Sequence, residues 1–143
     1  MIEFPEENAI NWWIDYLPRS ENSVLKKYLP KVDKDWKIRI MQTISLVHME
    51  YVNGYLDKNV HHIASCIFYR INKAHREIDG NKRSSIIVTY LFYLMNDFAL
   101  ISTDKVRLLA KKIAKSKGRR NQKSWIRKAT KVFSVCTVSI KSG

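Results

Sequence analysis

The sequence predicts an all-α or nearly all-α fold built as a single domain, and three observations support this prediction. The chain has 143 residues, which is enough for one hydrophobic core and short for two. It contains only four glycines and three prolines, and its apolar residues recur at helical spacing over most of its length. Apolar residues make up 45% and charged residues 27%, as in ordinary globular proteins. One domain is therefore predicted over residues 1–143.

The sequence also favours a cytoplasmic protein without a membrane span. No uninterrupted apolar run reaches the roughly 18–20 residues that a transmembrane helix needs. The first seven residues are acidic and resemble neither the basic nor the apolar part of a signal peptide. Cys66 and Cys136 lack metal-binding spacing, and a disulfide between them is disfavoured in a reducing compartment.

The first predicted helix covers residues 8–17 and is ended by Pro18. Its aromatic residues Trp12, Trp13 and Tyr16 are expected to anchor it in the core. These rings make the segment the most aromatic part of the N-terminal region. We therefore expect this helix to pack firmly against the rest of the domain.

Two further helices are predicted before residue 53. A short one begins after Ser20 or Asn22, either of which can cap it, and ends near Leu29. A longer one begins after Asp33 or Asp35. Its apolar face is marked by residues at three- and four-residue steps: Trp36, Ile40, Ile44, Val47 and Tyr51.

Asn53-Gly54 ends this third helix and admits a second interpretation. An Asn-Gly pair is typical of tight hairpin turns, and it stands here between Tyr51-Val52 and Tyr55-Leu56. A small two-stranded flap is therefore an alternative at this place. The flanking apolar runs are short for strands.

The second half of the chain is predicted to hold four helices and a short tail. Their approximate segments are 60–73, 84–97, 104–115 and 125–133. Asn59 is a suitable cap for the first of them. The segment 84–97 is apolar on nearly all sides, so it is expected to be a central helix surrounded by others. Leu108 is expected to point inward, and the tail 134–140 is either a strand or frayed chain.

Positive charge is concentrated near the C-terminus. The formal net charge is +13, and residues 105–143 contain thirteen Lys and Arg but no Asp or Glu. Such a run is most simply a solvated helix face. The alternatives are that it binds an acidic protein, nucleotide phosphates or nucleic acid.

The nine residues from His75 to Arg83, which read His-Arg-Glu-Ile-Asp-Gly-Asn-Lys-Arg, combine a base, carboxylates, an amide and cations. Asp79-Gly80 is a turn signal, so the stretch is predicted to be a polar loop between two buried helices. If the next helix starts at Ser84, then Gly80, Asn81 and Lys82 lie at its N-terminus. Orphan N–H groups and the helix dipole favour anions there, and a phosphate is the ligand that fits.

This stretch resembles the catalytic loop of the Fic/Doc family, whose pattern is His-x-Phe-x-Asp/Glu-Gly-Asn-Gly/Lys-Arg. Six positions are in register: His75, Asp79, Gly80, Asn81, Lys82 and Arg83. The flanking helices are similar as well, so the resemblance extends from about residue 59 to residue 133. It implies a helical core that transfers a phosphate-containing group from ATP, or another nucleoside triphosphate, to a Ser, Thr or Tyr hydroxyl of a target protein.

The resemblance implies a function for each matched residue. His75 would be the general base that takes the proton from the target hydroxyl. Asp79 would hold Mg²⁺, a cation that prefers carboxylate and phosphate oxygens. Gly80, Asn81 and the backbone of Lys82 would form the anion-binding loop. Arg83 would clamp a phosphate, and the Lys82 side chain would add a second charge.

Two positions favour the Doc type within the family. Lys82 stands where adenylylating members usually carry Gly, and Ile86 stands where they commonly carry a second Arg. The Doc type transfers the γ-phosphate and is therefore a kinase; its known target is translation elongation factor Tu, and a small separate antitoxin controls it. The family's built-in inhibitory motif, Ser/Thr-x-x-x-Glu-Gly/Asn, does not occur in this sequence, so a separate antitoxin is expected.

Two alternatives stay open at the sequence level. One is adenylylation (AMPylation) of a target, and the other is a non-enzymatic basic module of the same fold that binds nucleic acid or an acidic protein. Arg76 and Glu77 depart from the family pattern, which has an apolar residue and a buried Phe there. Three explanations are open: Ile78 anchors a shifted loop, Glu77 points outward and pairs with a cation, or the site is inactive.

Overall fold

The computed structural model describes residues 1–74, 78–116 and 121–140; of Ile78 and Asp79 it describes the backbone only. The described chain is mostly helical, which confirms the predicted all-α fold with a small β element. A single 3-10 turn at Leu17–Arg19 follows the first helix. The elements are α1 Glu7–Tyr16, α2 Ser23–Lys27, α3 Lys34–Val52, α4 Val60–Lys73, α5 Ile78–Met95, β1 Phe98–Leu100, α6 Asp104–Lys115, α7 Gln122–Cys136 and β2 Thr137–Ser139.

Three helices begin where a polar side chain caps them, as the sequence predicts. The Asn22 side chain accepts hydrogen bonds from two backbone N–H groups at the start of α2. Asp33 accepts from the N–H of Trp36 at the start of α3, and Asn59 accepts from that of His61 at the start of α4. These bonds satisfy N–H groups that have no partner inside the helix, and they fix where each helix starts.

The centre of the molecule is the pair α4 and α5. Helix α4 packs against α3, α5, α6 and α7, and α5 also packs against α6 and β1. Residues 84–89 and 91–93 of α5 are all buried, which confirms that this helix is central. A buried hydrogen bond of 2.9 Å from the Trp36 indole nitrogen to Ser84 Oγ joins α3 to α5. The buried apolar residues form one continuous core.

The β element lies elsewhere than the predicted flap. Strands β1 and β2 pair antiparallel, with Phe98 opposite Ser139 and Leu100 opposite Thr137. The alternative prediction of a two-stranded flap at Asn53-Gly54 is wrong, because α3 continues to Val52. Gly54 takes a positive φ of 78°, and the N–H groups after Val52 bond back to carbonyls of the last turn of α3. Asn53-Gly54 therefore ends a helix rather than turning a hairpin.

Some predicted core residues are on the surface instead. Trp12 is 58% exposed and stacks on Tyr16, whereas Trp13 is buried as expected. Leu108 is 51% exposed, because α6 turns Leu109 rather than Leu108 toward the core. Helix α2 ends at Lys27, short of Leu29. The apolar pattern thus assigned Trp12 and Leu108 to the wrong side of their helices, and it extended α2 beyond its end at Lys27.

The described residues include both cysteines and most of the C-terminal tail. Cys66 and Cys136 are both buried and free. In the part of the chain that the structure covers, no helix is both long and apolar enough to cross a membrane. The tail forms strand β2 at residues 137–139.

Candidate functional site

The helix that carries the candidate site begins earlier than predicted. Helix α5 starts at Ile78, so Asp79 to Arg83 lie in its first turns and not in a loop that precedes it. The expectation of a helix starting at Ser84 is therefore wrong. His75, Arg76 and Glu77 lie outside the described residues, as does the side chain of Asp79. The positions of the predicted base and of the predicted Mg²⁺ ligand thus stay predictions.

Asn81 accounts for the early start of α5. Its side chain is only 1% exposed, and its Nδ2 donates a 2.9 Å hydrogen bond to the carbonyl oxygen of Ala74. Ala74 directly follows α4, so this bond ties the end of α4 to the first turn of α5. A buried amide needs such a partner, and the helical position of Asn81 provides it.

A second contact of the Asn81 side chain places at the site an arginine that does not belong to the motif. Asn81 Oδ1 accepts a hydrogen bond of 3.5 Å from Nη1 of Arg39, which is exposed on α3. Arg39 is 42 positions away in the chain, so no local pattern could have placed it here. Only the packing of the helices reveals it. Arg39 is the site residue that the sequence analysis missed.

The first turns of α5 thus lie among several cations. Lys82 is half-buried and Arg83 is exposed, with its Nη1 3.5 Å from the carbonyl oxygen of Leu29. Arg39 approaches the same turn from α3. By contrast, Lys73 at the end of α4 donates to Ser116 Oγ at 3.1 Å and is directed toward the end of α6. The cations near this helix start, together with its dipole, favour an anion with several oxygens, such as a phosphate.

Magnesium binding was predicted to depend on one carboxylate, that of Asp79. Among the residues that the structure describes, no three His, Cys, Asp or Glu side chains are grouped as a metal site. A nucleotide-bound Mg²⁺ usually takes one or two protein carboxylates, with phosphate oxygens and water as its other ligands. The predicted single ligand Asp79 is consistent with that chemistry.

A cavity of about 560 Å³ lies along α4, from His62 to Arg70. It is bounded by α4, by the end of α3 and the chain after it, and by α7, and an ion pair of 2.7 Å between Arg70 and Glu50 stands in its wall. Cys66 also lines it, and burial raises the pKa of this thiol to about 12, with a further contribution from the nearby Glu50 carboxylate. Cys66 is therefore protonated at neutral pH and unsuited to nucleophilic attack.

Two of the other described histidines have structural contacts. His48 stacks on Phe4, with ring centroids 4.3 Å apart. His61 Nδ1 lies 2.9 Å from the Tyr93 hydroxyl oxygen, and burial lowers the pKa of His61. Both contacts hold core aromatic rings in place. His62 lines the cavity along α4. His75 is associated with the candidate site by its position in the motif.

Comparisons with known proteins assign nothing to the chain. No family model, no curated protein and no solved structure matches it. The chemistry proposed for the site therefore rests on the residues of this chain and on their contacts.

Proposed function

We propose that this protein transfers a phosphate-containing group from ATP, or another nucleoside triphosphate, to a Ser, Thr or Tyr hydroxyl of a target protein. The observation that carries the proposal is the arrangement around the first turn of α5. Arg39 and the buried amide of Asn81 meet there, next to Lys82 and Arg83. Asn81, Lys82 and Arg83 come six to eight positions after His75 in the chain, and the proposal places a phosphate held there within reach of this base.

The role proposed for each residue follows from the chemistry of its side chain or backbone. His75 removes the proton of the acceptor hydroxyl, for which an unperturbed imidazole pKa near 6.5 is well suited. Asp79 would hold Mg²⁺, which would supply positive charge to the phosphates of the nucleotide. Gly80 lets the phosphates approach the backbone, and Arg83 with Arg39 neutralises the charge that the transferred group develops.

Transfer of the γ-phosphate is the form of this reaction that the sequence and the burial of Ile86 favour. Adenylylating members of the Fic/Doc family commonly carry an arginine where this chain has Ile86. The Ile86 side chain is 1% exposed and belongs to the core, so this position faces away from any ligand. Lys82, the residue typical of Doc-like kinases, is half-buried in the first turns of α5. We therefore propose a Doc-like protein kinase.

The biological setting is part of the same proposal. A Doc-like kinase acts in the cytoplasm, phosphorylates a translation factor such as elongation factor Tu, and is inhibited by a separate antitoxin. Expression of this chain should then arrest growth. His75→Ala and Asp79→Ala should each abolish the arrest, because one lacks the base and the other lacks the Mg²⁺ ligand.

The decisive experiment offers a cell lysate the purified protein with either γ-labelled or α-labelled ATP. Label from the γ position alone supports phosphorylation, and label from the α position shows adenylylation instead. His75→Ala should lose transfer yet keep ATP–Mg²⁺ binding. Absence of transfer from either nucleotide, together with equal toxicity of wild type and both variants, would contradict the proposed enzyme.

Arg39→Ala gives a separate test of the geometry at the site. Loss of one charged contact to a phosphate should weaken nucleotide binding roughly tenfold, since such contacts contribute about 1.5–3 kcal/mol. The matched control is Arg19→Ala, because Arg19 is also exposed but bonds to the Asp15 carbonyl in another part of the chain. Equal nucleotide affinity of the two variants, measured by titration calorimetry, would remove Arg39 from the proposed site.

A further inference from the structure

The outer face of α6 and α7 carries positive charge that the proposed transfer reaction does not use. These helices pack against each other, and their Lys and Arg side chains are exposed. The exposed cations of the two helices are Lys105, Arg107, Lys111, Lys112, Lys115, Lys123, Arg127, Lys128 and Lys131. Of these, Lys123 and Arg127 line the cavity along α4 and not the outer groove between the two helices. Across the described residues, none of the exposed cations of α6 and α7 forms an ion pair with a carboxylate. A polyanion would relieve the mutual repulsion of these charges.

A groove of about 480 Å³ lies between the two helices on this face. The α6–α7 groove has an apolar floor that includes Leu109, Val132 and the half-buried ring of Trp125, and Leu108 is exposed at its edge. Its charged lining consists of Lys105, Lys112, Lys128 and Lys131. The Lys128 ammonium lies 4.7 Å from the centroid of the Trp125 ring, so an aromatic surface and cations are in contact here.

We propose that the α6–α7 groove binds single-stranded nucleic acid. The four lysines contact phosphates of the backbone, and an unpaired base packs against Trp125 and its apolar neighbours. Helices of this length extend over about 18–22 Å, which is enough to follow several nucleotides. A positively charged groove with an aromatic ring in its floor is the combination that sequence-independent single-strand binding requires.

The groove fits a single strand better than other polyanions. A duplex keeps its bases stacked inside, so it would use the lysines but leave the apolar floor empty. An acidic peptide presents carboxylates, but it offers a flat ring to Trp125 only where an aromatic residue happens to stand beside them, whereas every nucleotide carries one. Because a single strand presents phosphates and bare bases together, it is the polyanion that uses both features of the groove. None of the groove residues belongs to the proposed catalytic site, so the two proposals can fail separately.

The test measures fluorescence anisotropy of labelled 16-nucleotide oligo-dT and oligo-U with the full chain at 50–300 mM KCl. Dissociation constants on the order of 10⁻⁶–10⁻⁴ M are expected near physiological salt. The logarithm of the binding constant should fall linearly with the logarithm of salt concentration, by about 0.7 for each phosphate contacted. Binding of either sugar type satisfies the proposal.

Variants that replace lysines by Gln show where the oligonucleotide contacts the protein. Replacing Lys105, Lys112, Lys128 and Lys131 together by Gln should weaken binding at least tenfold at 100 mM KCl. It should also reduce the salt slope by roughly three, because four phosphate contacts are lost. The matched control replaces four exposed lysines at the other end of the chain by Gln, and it should keep the wild-type slope. These are Lys26, Lys27, Lys31 and Lys34.

Variants of Trp125 separate stacking from charge. Trp125→Leu should weaken binding roughly fivefold or more at unchanged salt slope, since a base that stacks on an aromatic ring contributes about 1–3 kcal/mol. Trp125→Tyr keeps an aromatic ring and should bind within about twofold of wild type. Thermal unfolding of both variants is measured alongside, so that a loss of fold is not mistaken for a loss of contact.

Three results would overturn the proposal. The first is equal binding by the groove variant and the control variant. The second is tighter binding of a 16-base-pair duplex than of the single strands, which would assign the face to a duplex. The third is groove-dependent binding of a 16-residue poly-glutamate that matches the affinity of the oligonucleotides, which would assign it to an acidic protein.

Discussion

The Asn81 side chain has an observed structural contact in addition to its predicted role in anion binding. The motif predicts that it lies in an anion-binding loop, whereas its buried amide also bonds to Ala74 and to Arg39. Substitution of Asn81 would therefore change the connection between α4 and α5 along with any bound phosphate. For this reason, loss of activity in an Asn81 variant would be ambiguous, and His75 and Arg39 are better probes of the site.

Residue identities at the site could be predicted from the sequence, but their contacts could not. The order of polar residues from His75 to Arg83 is a local pattern, so it is visible in the chain itself. The contribution of Arg39 depends on how α3 packs beside α5, and this is decided by the burial of residues such as Trp36. A tertiary contact of this kind leaves no trace in local spacing.

Ser84 and Ser85 offer a matched pair for testing a buried hydrogen bond. Ser84 Oγ accepts from the Trp36 indole, whereas Ser85 Oγ donates to the carbonyl of Lys82 within its own helix. Ser84→Ala leaves the buried indole N–H without its partner and should lower the free energy of unfolding by about 1–3 kcal/mol. Ser85→Ala loses only a local bond and gains helix propensity, so its effect should be clearly smaller. Urea denaturation measures both, and equal losses would contradict this account.

His61 should make stability depend on pH in a defined direction. Burial lowers the pKa of His61 below its ordinary value of 6.5, so the unfolded chain binds the proton more readily than the folded chain. The stability that neutral His61 provides is complete above about pH 6.5 and is lost as the pH falls below it. The difference in unfolding free energy between wild type and His61→Gln should therefore shrink from pH 7.5 to pH 5.5. A difference that grows on acidification would show the opposite shift.

At the scale of elements, the starts of the three helices with side-chain caps are predicted well, whereas the start of α5 and the pairing of the strands are not. Asn22, Asp33 and Asn59 lie at the positions that capping chemistry assigns to them, because a cap bonds only to its immediate neighbours. Strands β1 and β2 are short and are separated by two helices along the chain. The weak alternation of residues 134–140 allows a strand in the tail, but the pairing of β1 with β2 depends on how α5 and α7 are packed in the domain, so no local signal predicts the pairing.

Two residues with left-handed backbone test the connections between elements. Asp97 joins α5 to β1 with φ 64°, and Gly54 ends the turn after α3 with φ 78°. Asp97 is exposed, and a Cβ on Gly54 would meet no atom within 4 Å, so backbone strain should decide the outcome at both. Asp97→Val should be about 1–2 kcal/mol less stable than Asp97→Gly.

Gly54→Ala is the matched control for the same principle. It should cost roughly 1 kcal/mol although it creates no collision, because Ala disfavours a positive φ. Chemical denaturation of the three variants gives the comparison. If Asp97→Val and Asp97→Gly are equally stable, strain at this connection does not matter.

At the scale of the whole molecule, the fold separates its charges. Within residues 1–74, 78–116 and 121–140, the exposed cations of α6 and α7 form no ion pair with a carboxylate, whereas the ion pairs present link residues of the first half of the chain, such as Lys37 with Glu7. Since the formal net charge is +13, the compact state gathers like charges that the unfolded chain keeps further apart. The folded protein should therefore respond to ionic strength.

Salt should stabilise this protein, and the α6–α7 face should account for much of the effect. Raising NaCl from 20 to 300 mM shortens the screening length well below the size of that face and should raise Tm by a few degrees. The variant with Gln at Lys105, Lys112, Lys128 and Lys131 should show a smaller rise. The variant with Gln at 26, 27, 31 and 34 should keep most of it, since acidic neighbours such as Glu21 and Asp33 already balance that region. An equal response of both variants would mean that the repulsion is spread over the whole surface and is not concentrated on these two helices.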